Sequence, residues 1–330
     1  MLPESSWWPP DDLWDFHSGR GEFHSIDRYA EALSRRYGTP ANLEEFARWA
    51  QVANYEAMRA MFEAFAIRRP ASTGIVQWML NSAWPEFYWQ LYDYYLVPTG
   101  AFYGARDGSR PVNIAYDYAD GRIVVVNETG GRLDDVTAAV RIYDLESRLQ
   151  FEASRTLTVA PESVQPVLTL PAIEQAAGNA RFVDLRLTAA EGAGSQSLAA
   201  SLYWLSTRED VPDWDASLWF VTPMAQYADL TGLKEMPAVD LDVEHRFSAT
   251  DDGYAIEVTL SNPGDRLAFF VELAVVGEDS GRLAAPVLWS DNYLSVMPGE
   301  TRAIRGAIPR HALGTERPAF RYSGINVAGE

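Results

Sequence analysis

Three side chains near residue 80 have the types and spacing that could bind a sugar. Trp78 lies near the end of an apolar run, Asn81 follows three residues later, and Trp84 precedes a proline. An indole face can stack on the apolar face of a pyranose, and an asparagine amide can hydrogen-bond a hydroxyl or an amine. Each residue also has a structural interpretation: Trp78 as a core residue beside a helix, Asn81 as a turn cap, and Trp84 as an apolar plug.

Recognisable catalytic and metal-binding motifs are absent from the sequence. There is no phosphate-binding glycine loop, no H-E-x-x-H and no G-x-S-x-G. Cysteine is absent, which excludes disulfides and thiolate chemistry. The histidines are too scattered for a metal site: His17, His24, His245 and His311. We therefore predict no cofactor and no metal in this chain.

The net charge and the hydrophobicity of the chain restrict the kinds of partner that it can bind. The 330 residues carry a formal net charge of −19, which disfavours nucleic acid because phosphate backbones would be repelled. The same charge would attract cations, including an amino sugar, although solubility is the commoner reason for such a charge. The apolar runs are shorter than the roughly 20 residues of a membrane helix, so no membrane partner is predicted. The first residues do not resemble a signal peptide, which leaves the compartment open.

The first hundred or so residues show a helical pattern. Ser25 can cap a helix that continues to Arg36. Asn42 can cap a longer helix, with Glu45 at the capping-box position. Another helix is predicted over 89–96. The apolar residues of the longer helix recur every three or four positions, which predicts one buried stripe: Leu43, Phe46, Ala50, Ala53, Ala57, Met61 and Phe65.

Between these helices, Gly74–Leu80 is a short and nearly continuous apolar run. Such a run is typical of a strand buried on both faces of a parallel sheet. Trp78 would then lie at the C-terminal end of the strand, where barrel active sites are built. Because a parallel strand needs neighbours on both sides, we expect the rest of a (β/α)8 barrel N-terminal to Met1. For 1–108 we predict the C-terminal remnant of this barrel, mostly helical with one parallel strand.

From Pro111 the hydrophobic period changes to two, which indicates antiparallel strands. About seven strand-like runs fit between Val112 and Ser206, with a hairpin signal at Asp120-Gly121. A similar number fits between residue 238 and the C-terminus. We therefore predict a mixed fold with four parts: the barrel remnant, an immunoglobulin-like β-sandwich over 109–208, an aromatic-rich packed connector over 209–237 and a second such sandwich over 238–330.

Several segments resemble glycoside hydrolase family 2. The segment 73–85, with its continuations 89–95 and 100–104, is similar to the last barrel strand and helix of that family. The likeness is closest to the branch of exo-β-D-glucosaminidases (exo-chitosanases) and β-mannosidases, and it extends over essentially the whole chain. Its further matches are Leu2-Pro3-Glu4, Trp8-Pro9-Pro10, Trp14-Asp15-Phe16-His17, Arg36-Tyr37-Gly38, Tyr55–Glu63, Tyr203–Ser206, Trp289–Tyr293 and Pro298–Glu300.

The resemblance implies a retaining exo-glycosidase whose carbohydrate partner is a β-linked glucosamine or mannose oligosaccharide, with glucosamine favoured. It implies that Trp14 and His17 lie in a loop that could line the sugar pocket. It also suggests a secreted or periplasmic location. The family's retaining mechanism uses two glutamates, and the resemblance places both before the start of this chain. The chain alone is therefore expected to be inactive, with the missing N-terminal barrel portion as its partner.

The carboxylates of the first hundred residues do not suggest a substitute catalytic pair. A retaining pair needs two carboxyl groups about 5 Å apart on a rigid scaffold. None of the candidates lies on a predicted strand end beside a second one: Glu4, Asp11, Asp12, Glu86 and Asp93.

Two further interpretations stay open. The chain could be a non-catalytic carbohydrate-binding protein that uses exposed aromatic residues, or a purely structural pair of immunoglobulin-like modules. The first hundred residues favour the enzyme fragment, because neither kind of module would carry the last strand of a barrel.

Overall fold

A computed structural model describes residues 1–19, 25–87, 90–171, 178–191 and 194–329. Four of the five described α-helices precede the first strand. None of the described helices is long and apolar enough to cross a membrane. The helices are α1 (Asp12–His17), α2 (Ser25–Tyr37), α3 (Leu43–Ile67), α4 (Gly100–Gly108) and α5 (Arg310–Leu313).

Helix α3 begins at the predicted cap but buries a different face from the predicted one. The Asn42 side chain accepts a hydrogen bond from the Glu45 amide at 2.9 Å, and the Glu45 carboxylate accepts one from the Ala41 amide at 2.6 Å. Met61 and Phe65, predicted to be buried, are 36% and 37% exposed. The prediction followed apolar residues alone, whereas the buried face includes two charged ones: Phe46, Trp49, Val52, Tyr55, Arg59, Glu63 and Ile67.

Helix α4 packs against α3 with almost no space between the two backbones. A Cβ atom on Gly100 or Gly104 would meet the carbonyl oxygen of Gln51 or Tyr55 well inside van der Waals contact. Only a residue without a side chain fits at these positions. The Gly100 amide also donates to the Gln51 side chain at 2.7 Å, which fixes the start of α4.

The first β-sandwich consists of two antiparallel sheets that enclose an aliphatic core. Its hairpin turn at Asp120-Gly121 is the predicted one, with Gly121 in the left-handed region at φ 71°. One sheet has the order β1 (Val112–Asp117), β2 (Arg122–Asn127), β5 (Ser163–Thr169). The other has the order β4 (Leu149–Val159), β3 (Leu133–Tyr143), β6 (Ala180–Glu191), β7 (Gly194–Ser206). The core residues include Ile114, Val125, Val140, Ile142, Leu185 and Leu187.

A short two-stranded hairpin leads to the second β-sandwich. The hairpin is formed by β8 (Val211–Pro212) and β9 (Met224–Gln226). One sheet of the second sandwich has the order β10 (Asp242–Thr250), β11 (Gly253–Ser261), β15 (Thr301–Pro309), β13 (Leu288–Trp289). The other has the order β14 (Leu294–Val296), β12 (Ala268–Gly277), β16 (Pro318–Ser323).

The helices and both sandwiches meet at a buried aromatic junction. Tyr55 of α3 contacts Phe270 of β12 edge-on at 5.6 Å, and Trp204 of β7 contacts Phe269 at 5.1 Å. A register shift between Ala268 and Val271 accompanies Phe270 at φ 55°. This irregularity allows two consecutive rings, on residues that would alternate in a regular strand, to be buried together.

The prediction of a barrel remnant over 1–108 is wrong. Residues 74–80 form no strand, and Val76 is 94% exposed and Trp78 77% exposed. Residues 90–96 form no α-helix, and Trp89 lies outside the described residues. The described chain is mostly β, and all its pairs of assigned strands are antiparallel. A short apolar run cannot be assigned by periodicity alone, and nothing described offers this one a partner strand. The inference of further barrel strands before Met1 rested on this strand and falls with it.

Two charged residues of α3 lie at the junction with the first sandwich. Arg59 is 2% exposed, and its guanidinium lies 3.9 Å from the centroid of the Tyr203 ring while donating to the Leu202 carbonyl at 2.6 Å. Glu63 is 1% exposed and accepts a hydrogen bond from the Tyr203 hydroxyl at 2.7 Å. Burial raises the pKa of Glu63 to about 7, against the opposing effect of Arg59.

We expect Gly104→Ala to lower the free energy of unfolding by roughly 1–3 kcal/mol, because the added methyl overlaps the α3 backbone at Tyr55. Urea unfolding measures this change. Gly74→Ala is the matched control, since nothing lies within 4 Å of its added methyl, and we expect a change within about 0.5 kcal/mol. Equal stabilities of the two variants would contradict the close packing of α3 and α4.

We expect the deprotonation of Glu63 to lower the free energy of unfolding by roughly 3 kcal/mol as the pH rises from 4.5 to about 7. The raised pKa means that the folded state binds the extra proton in this window, so protonation stabilises it there. Glu63→Gln should flatten the pH profile of urea unfolding over this range. Glu44→Gln, on the exposed side of α3, should leave the profile unchanged; a steep profile in Glu63→Gln would show that another group causes it.

Candidate functional site

The start of the chain and the segment after Trp84 form a cluster of aromatic rings. The His17 ring lies 4.9 Å from the Trp84 ring at 30°, and Phe16 contacts Trp84 edge-on at 5.4 Å. Trp14 stacks on Phe87 at 4.6 Å and 17°. We call these five residues the aromatic cluster: Trp14, Phe16, His17, Trp84 and Phe87. Three of them are predicted site residues.

Hydrogen bonds fix the cluster from both sides. His17 Nδ1 lies 2.6 Å from the Pro85 carbonyl oxygen, and the Phe87 amide donates to the His17 carbonyl at 2.8 Å. Because a carbonyl can only accept, His17 carries a proton on Nδ1, and in the neutral imidazole Nε2 is the acceptor. The Trp14 indole N–H donates to the Ser6 carbonyl at 2.7 Å. The cluster can therefore hold Trp84 in one place.

The predicted site residues differ widely in exposure. Trp14 is 3% exposed and belongs to the core, whereas Trp84 is 40% exposed and Trp78 is 77% exposed. Asn81 is also exposed, and its amide nitrogen lies 3.4 Å from the Ser82 carbonyl oxygen. No described ring contact joins Trp78 to the cluster. The site is therefore two neighbouring parts of one chain segment: the exposed pair Trp78 and Asn81, and Trp84 supported by the cluster.

Backbone contacts position the exposed pair without regular secondary structure. The Leu80 carbonyl accepts hydrogen bonds from the amides of Leu91 and Tyr92 at 3.1 and 2.9 Å. The Trp78–Met79 peptide bond is cis. Asp93 closes the next turn by accepting from the Val97 amide at 2.8 Å, and burial raises the pKa of its carboxyl group. The segment after Trp78 is thus folded back on itself.

The carboxylates nearest in sequence to Trp78 have local roles. Glu86 accepts a hydrogen bond from the Gln90 side chain at 2.9 Å, and Asp93 caps its own turn. Among the residues that the structure describes, no group of three or more His, Cys, Asp or Glu side chains could hold a metal ion. The geometry offers ring stacking and hydrogen bonding.

Comparisons with known proteins identify the family. Residues 219–327 match the sequence profile of the exo-β-D-glucosaminidase Ig-fold domain. The chain is 33% identical to the exo-β-D-glucosaminidase of Amycolatopsis orientalis, over 98% of this chain and 32% of that protein. It is 35% identical to the exo-β-D-glucosaminidase of Streptomyces avermitilis, over 96% of this chain and 36% of that protein.

A solved structure superposes on the whole length of this chain. The crystal structure of the Amycolatopsis orientalis exo-chitosanase superposes with a TM-score of 0.90 at 32% identity, covering 100% of this chain and 40% of that chain. The chain belongs to the exo-β-D-glucosaminidase and β-mannosidase branch of glycoside hydrolase family 2. The family predicted from the sequence motifs is therefore confirmed. A β-D-mannosidase from Dictyoglomus thermophilum shares the fold, with a TM-score of 0.68 at 14% identity.

The chain spans about a third of the length of the curated glucosaminidases that it matches. Those relatives are exo-β-D-glucosaminidases by name.

Sequence reasoning missed two members of the aromatic cluster. Phe16 and Phe87 carry no polar group, and the two halves of the cluster lie about seventy residues apart, as the 68-residue separation of His17 and Pro85 shows. The motif Trp14-Asp15-Phe16-His17 marked the first half of the cluster as a candidate site, but a single sequence does not show which distant residues its rings contact. An aromatic residue two positions after Pro85 was the one available signal.

We expect His17→Phe to lower the free energy of unfolding by about 1 kcal/mol, because it keeps a flat ring beside Trp84 but loses the hydrogen bond to Pro85. Thermal or urea unfolding measures the loss. His311→Phe, at an exposed position of α5, is the control and should change stability by no more than about 0.5 kcal/mol. If the two variants are equally stable, the hydrogen bond does not hold the cluster.

Proposed function

We propose that this chain is the part of a retaining exo-β-D-glucosaminidase that contacts the terminal amino sugar with aromatic side chains, and that it hydrolyses nothing alone. The supporting observation is the combination of 33–35% identity to exo-β-D-glucosaminidases with the exposure of Trp78. An indole that is 77% exposed, in the segment that continues to Trp84 of the aromatic cluster, offers its ring face to a ligand.

The proposed roles follow from the geometry of each side chain. Trp78 offers an indole face for stacking on the apolar face of the sugar. Asn81, three residues later and exposed, offers an amide that can bond a hydroxyl or the amine. Trp84 borders the same segment, and His17 fixes it through ring contact and the bond to Pro85. Trp14 supports the cluster from inside, since it is buried against Phe87.

We place the two catalytic glutamates outside this chain, on the rest of the enzyme. A retaining glycosidase needs two carboxyl groups about 5 Å apart across the scissile bond. The carboxylates near Trp78 cap turns or accept from neighbouring side chains. The partner of the chain is then the part of the enzyme that carries the glutamates, and the chain contributes to binding the sugar rather than to the proton transfers.

Glucosamine is the favoured sugar. Its ammonium group would be attracted by the chain's net charge of −19 and by the electron-rich face of an indole. A β-mannosidase is the alternative within the same family, and the mannosidase relatives are less similar: the endo-β-mannosidase of Lilium longiflorum is 27% identical over 92% of this chain.

Two measurements on the isolated chain test this proposal. We expect no release of the aryl group from aryl β-D-glucosaminides or β-D-mannosides above the buffer rate, since the acid/base and the nucleophile are both absent. In ligand-observed NMR we expect glucosamine to give saturation transfer that Trp78→Ala reduces by about tenfold, with mannose giving a weaker signal than glucosamine.

Trp7→Ala is the matched control, because Trp7 is 46% exposed and its indole donates to the nearby Leu2 carbonyl. It should leave the glucosamine signal unchanged. Hydrolysis by the purified chain would overturn the claim that the catalytic pair lies elsewhere. A glucosamine signal that survives Trp78→Ala undiminished would overturn the role of Trp78.

A further inference from the structure

The hairpin between the two sandwiches exposes a second group of tryptophans. Trp214 is 73% exposed and Trp219 is 72% exposed, and Leu218 beside them is 52% exposed. They lie at the tip that joins β8 to β9, a part of the chain outside the aromatic cluster and outside the segment of Trp78. The sequence predicted a packed connector here, so the exposure of both indoles needs its own explanation.

The tip has a defined structure. The Asp213 amide donates to the Pro223 carbonyl at 2.8 Å, and the Leu218 amide donates to the Val221 carbonyl at 2.8 Å. The hydroxyls of Ser217 and Thr222 lie 2.9 Å apart across the tip. Since a network of this kind orders the backbone, the two indoles are held on a fixed frame, which lowers the entropic cost of binding a ligand.

A contact with α2 holds one side of the tip. Trp219 contacts Phe220 edge-on at 5.2 Å, and the Arg28 guanidinium of α2 lies 5.4 Å from the centroid of the Phe220 ring. Phe220 is partly buried while Trp219 beside it stays exposed. One of two adjacent aromatic side chains therefore anchors the tip, and the other faces solvent.

The hairpin segment itself carries only acidic charges, while Arg28 of α2 lies beside it on the Phe220 ring. From Glu209 to Asp229 there are five acidic residues and no lysine or arginine. Asp210 is paired with Arg36, and Asp229 accepts from Thr231 and Asn179. Glu209 and Asp215 are exposed. A surface with exposed carboxylates beside two indoles favours a cation that also has an apolar face.

We propose that Trp214 and Trp219, on a different segment from Trp78, form a second glycan-binding surface, which takes a cationic chain of β-linked amino sugars. Each indole stacks on a pyranose ring, and the exposed carboxylates and the indole faces attract the ammonium groups. The identity of the sugar rests on the proposed function, whereas the surface and its preference for a cation rest on the hairpin. An apolar protein partner fits less well, because docking it would bury Glu209 and Asp215 without a counter-charge.

Calorimetric titration of the full chain with a β-1,4-linked glucosamine hexamer, under conditions where its amines are protonated, tests this surface. We expect Trp214→Ala/Trp219→Ala to weaken binding by at least about tenfold. Trp7→Ala should bind as the unaltered chain does. Both side chains are exposed but Trp219 also contacts Phe220, so urea unfolding of the double variant checks that it is folded.

The fully N-acetylated hexamer separates stacking from charge. It has the same rings without ammonium groups, so we expect it to bind more weakly than the glucosamine hexamer. The variant Glu209→Gln/Asp215→Asn should reduce the difference in affinity between the two hexamers. Equal affinity for both hexamers in the unaltered chain would overturn the charge preference.

Comparison with Trp78→Ala separates this inference from the proposed function. If the double variant binds the glucosamine hexamer normally and Trp78→Ala does not, the second surface is refuted while the proposed function stands. Loss of binding confined to the double variant would support the second surface. Self-association of the chain that the double variant abolishes, with no effect on hexamer binding, would show that the tip is a protein interface and would also overturn the proposal.

Discussion

The close approach of α4 to α3 is the constraint on which the rest of the molecule depends. Glycines at 100 and 104 allow the two backbones to touch. From this contact α4 reaches the second sandwich, where Arg106 donates to the Ser290 carbonyl at 2.6 Å and to Asp291 at 2.5 Å. Helix α4 also leads within a few residues to β1 of the first sandwich. A side chain at either glycine would separate the helices and disturb both connections.

The charged residues on α3 show why a helix face can be buried without being apolar. Arg59 is partly compensated by the Tyr203 ring and the Leu202 carbonyl, and Glu63 is partly compensated by the Tyr203 hydroxyl. Tyr203 of β7 therefore contacts both charged side chains. Removing either charge alone would leave the other less well compensated, so α3 and the first sandwich are expected to be stabilised as a unit. The aromatic cluster packs on the same helix, since Trp14 contacts Phe46 of α3 edge-on at 5.6 Å.

Much of the fold could be predicted from local signals, and the errors have physical causes. The Asn42 cap, the Asp120-Gly121 hairpin and the period-two alternation are local, so one sequence reveals them. The Gly74–Leu80 run has the composition of a buried strand, but a strand needs a partner that the described residues do not supply. The buried face of α3 was misassigned because pairing by Tyr203 is a long-range contact. For the site, residue types indicated Trp78, Asn81 and Trp84, whereas exposure depended on tertiary structure.

We propose that an exposed indole on this chain meets a terminal amino sugar while the catalytic carboxylates lie elsewhere. A crystal structure of the chain grown with glucosamine is the decisive experiment. We expect the sugar ring stacked on Trp78, with no pair of carboxylates on opposite sides of its anomeric carbon. A sugar bound between two carboxylates of this chain, or bound with Trp78 turned away from it, would refute the proposal.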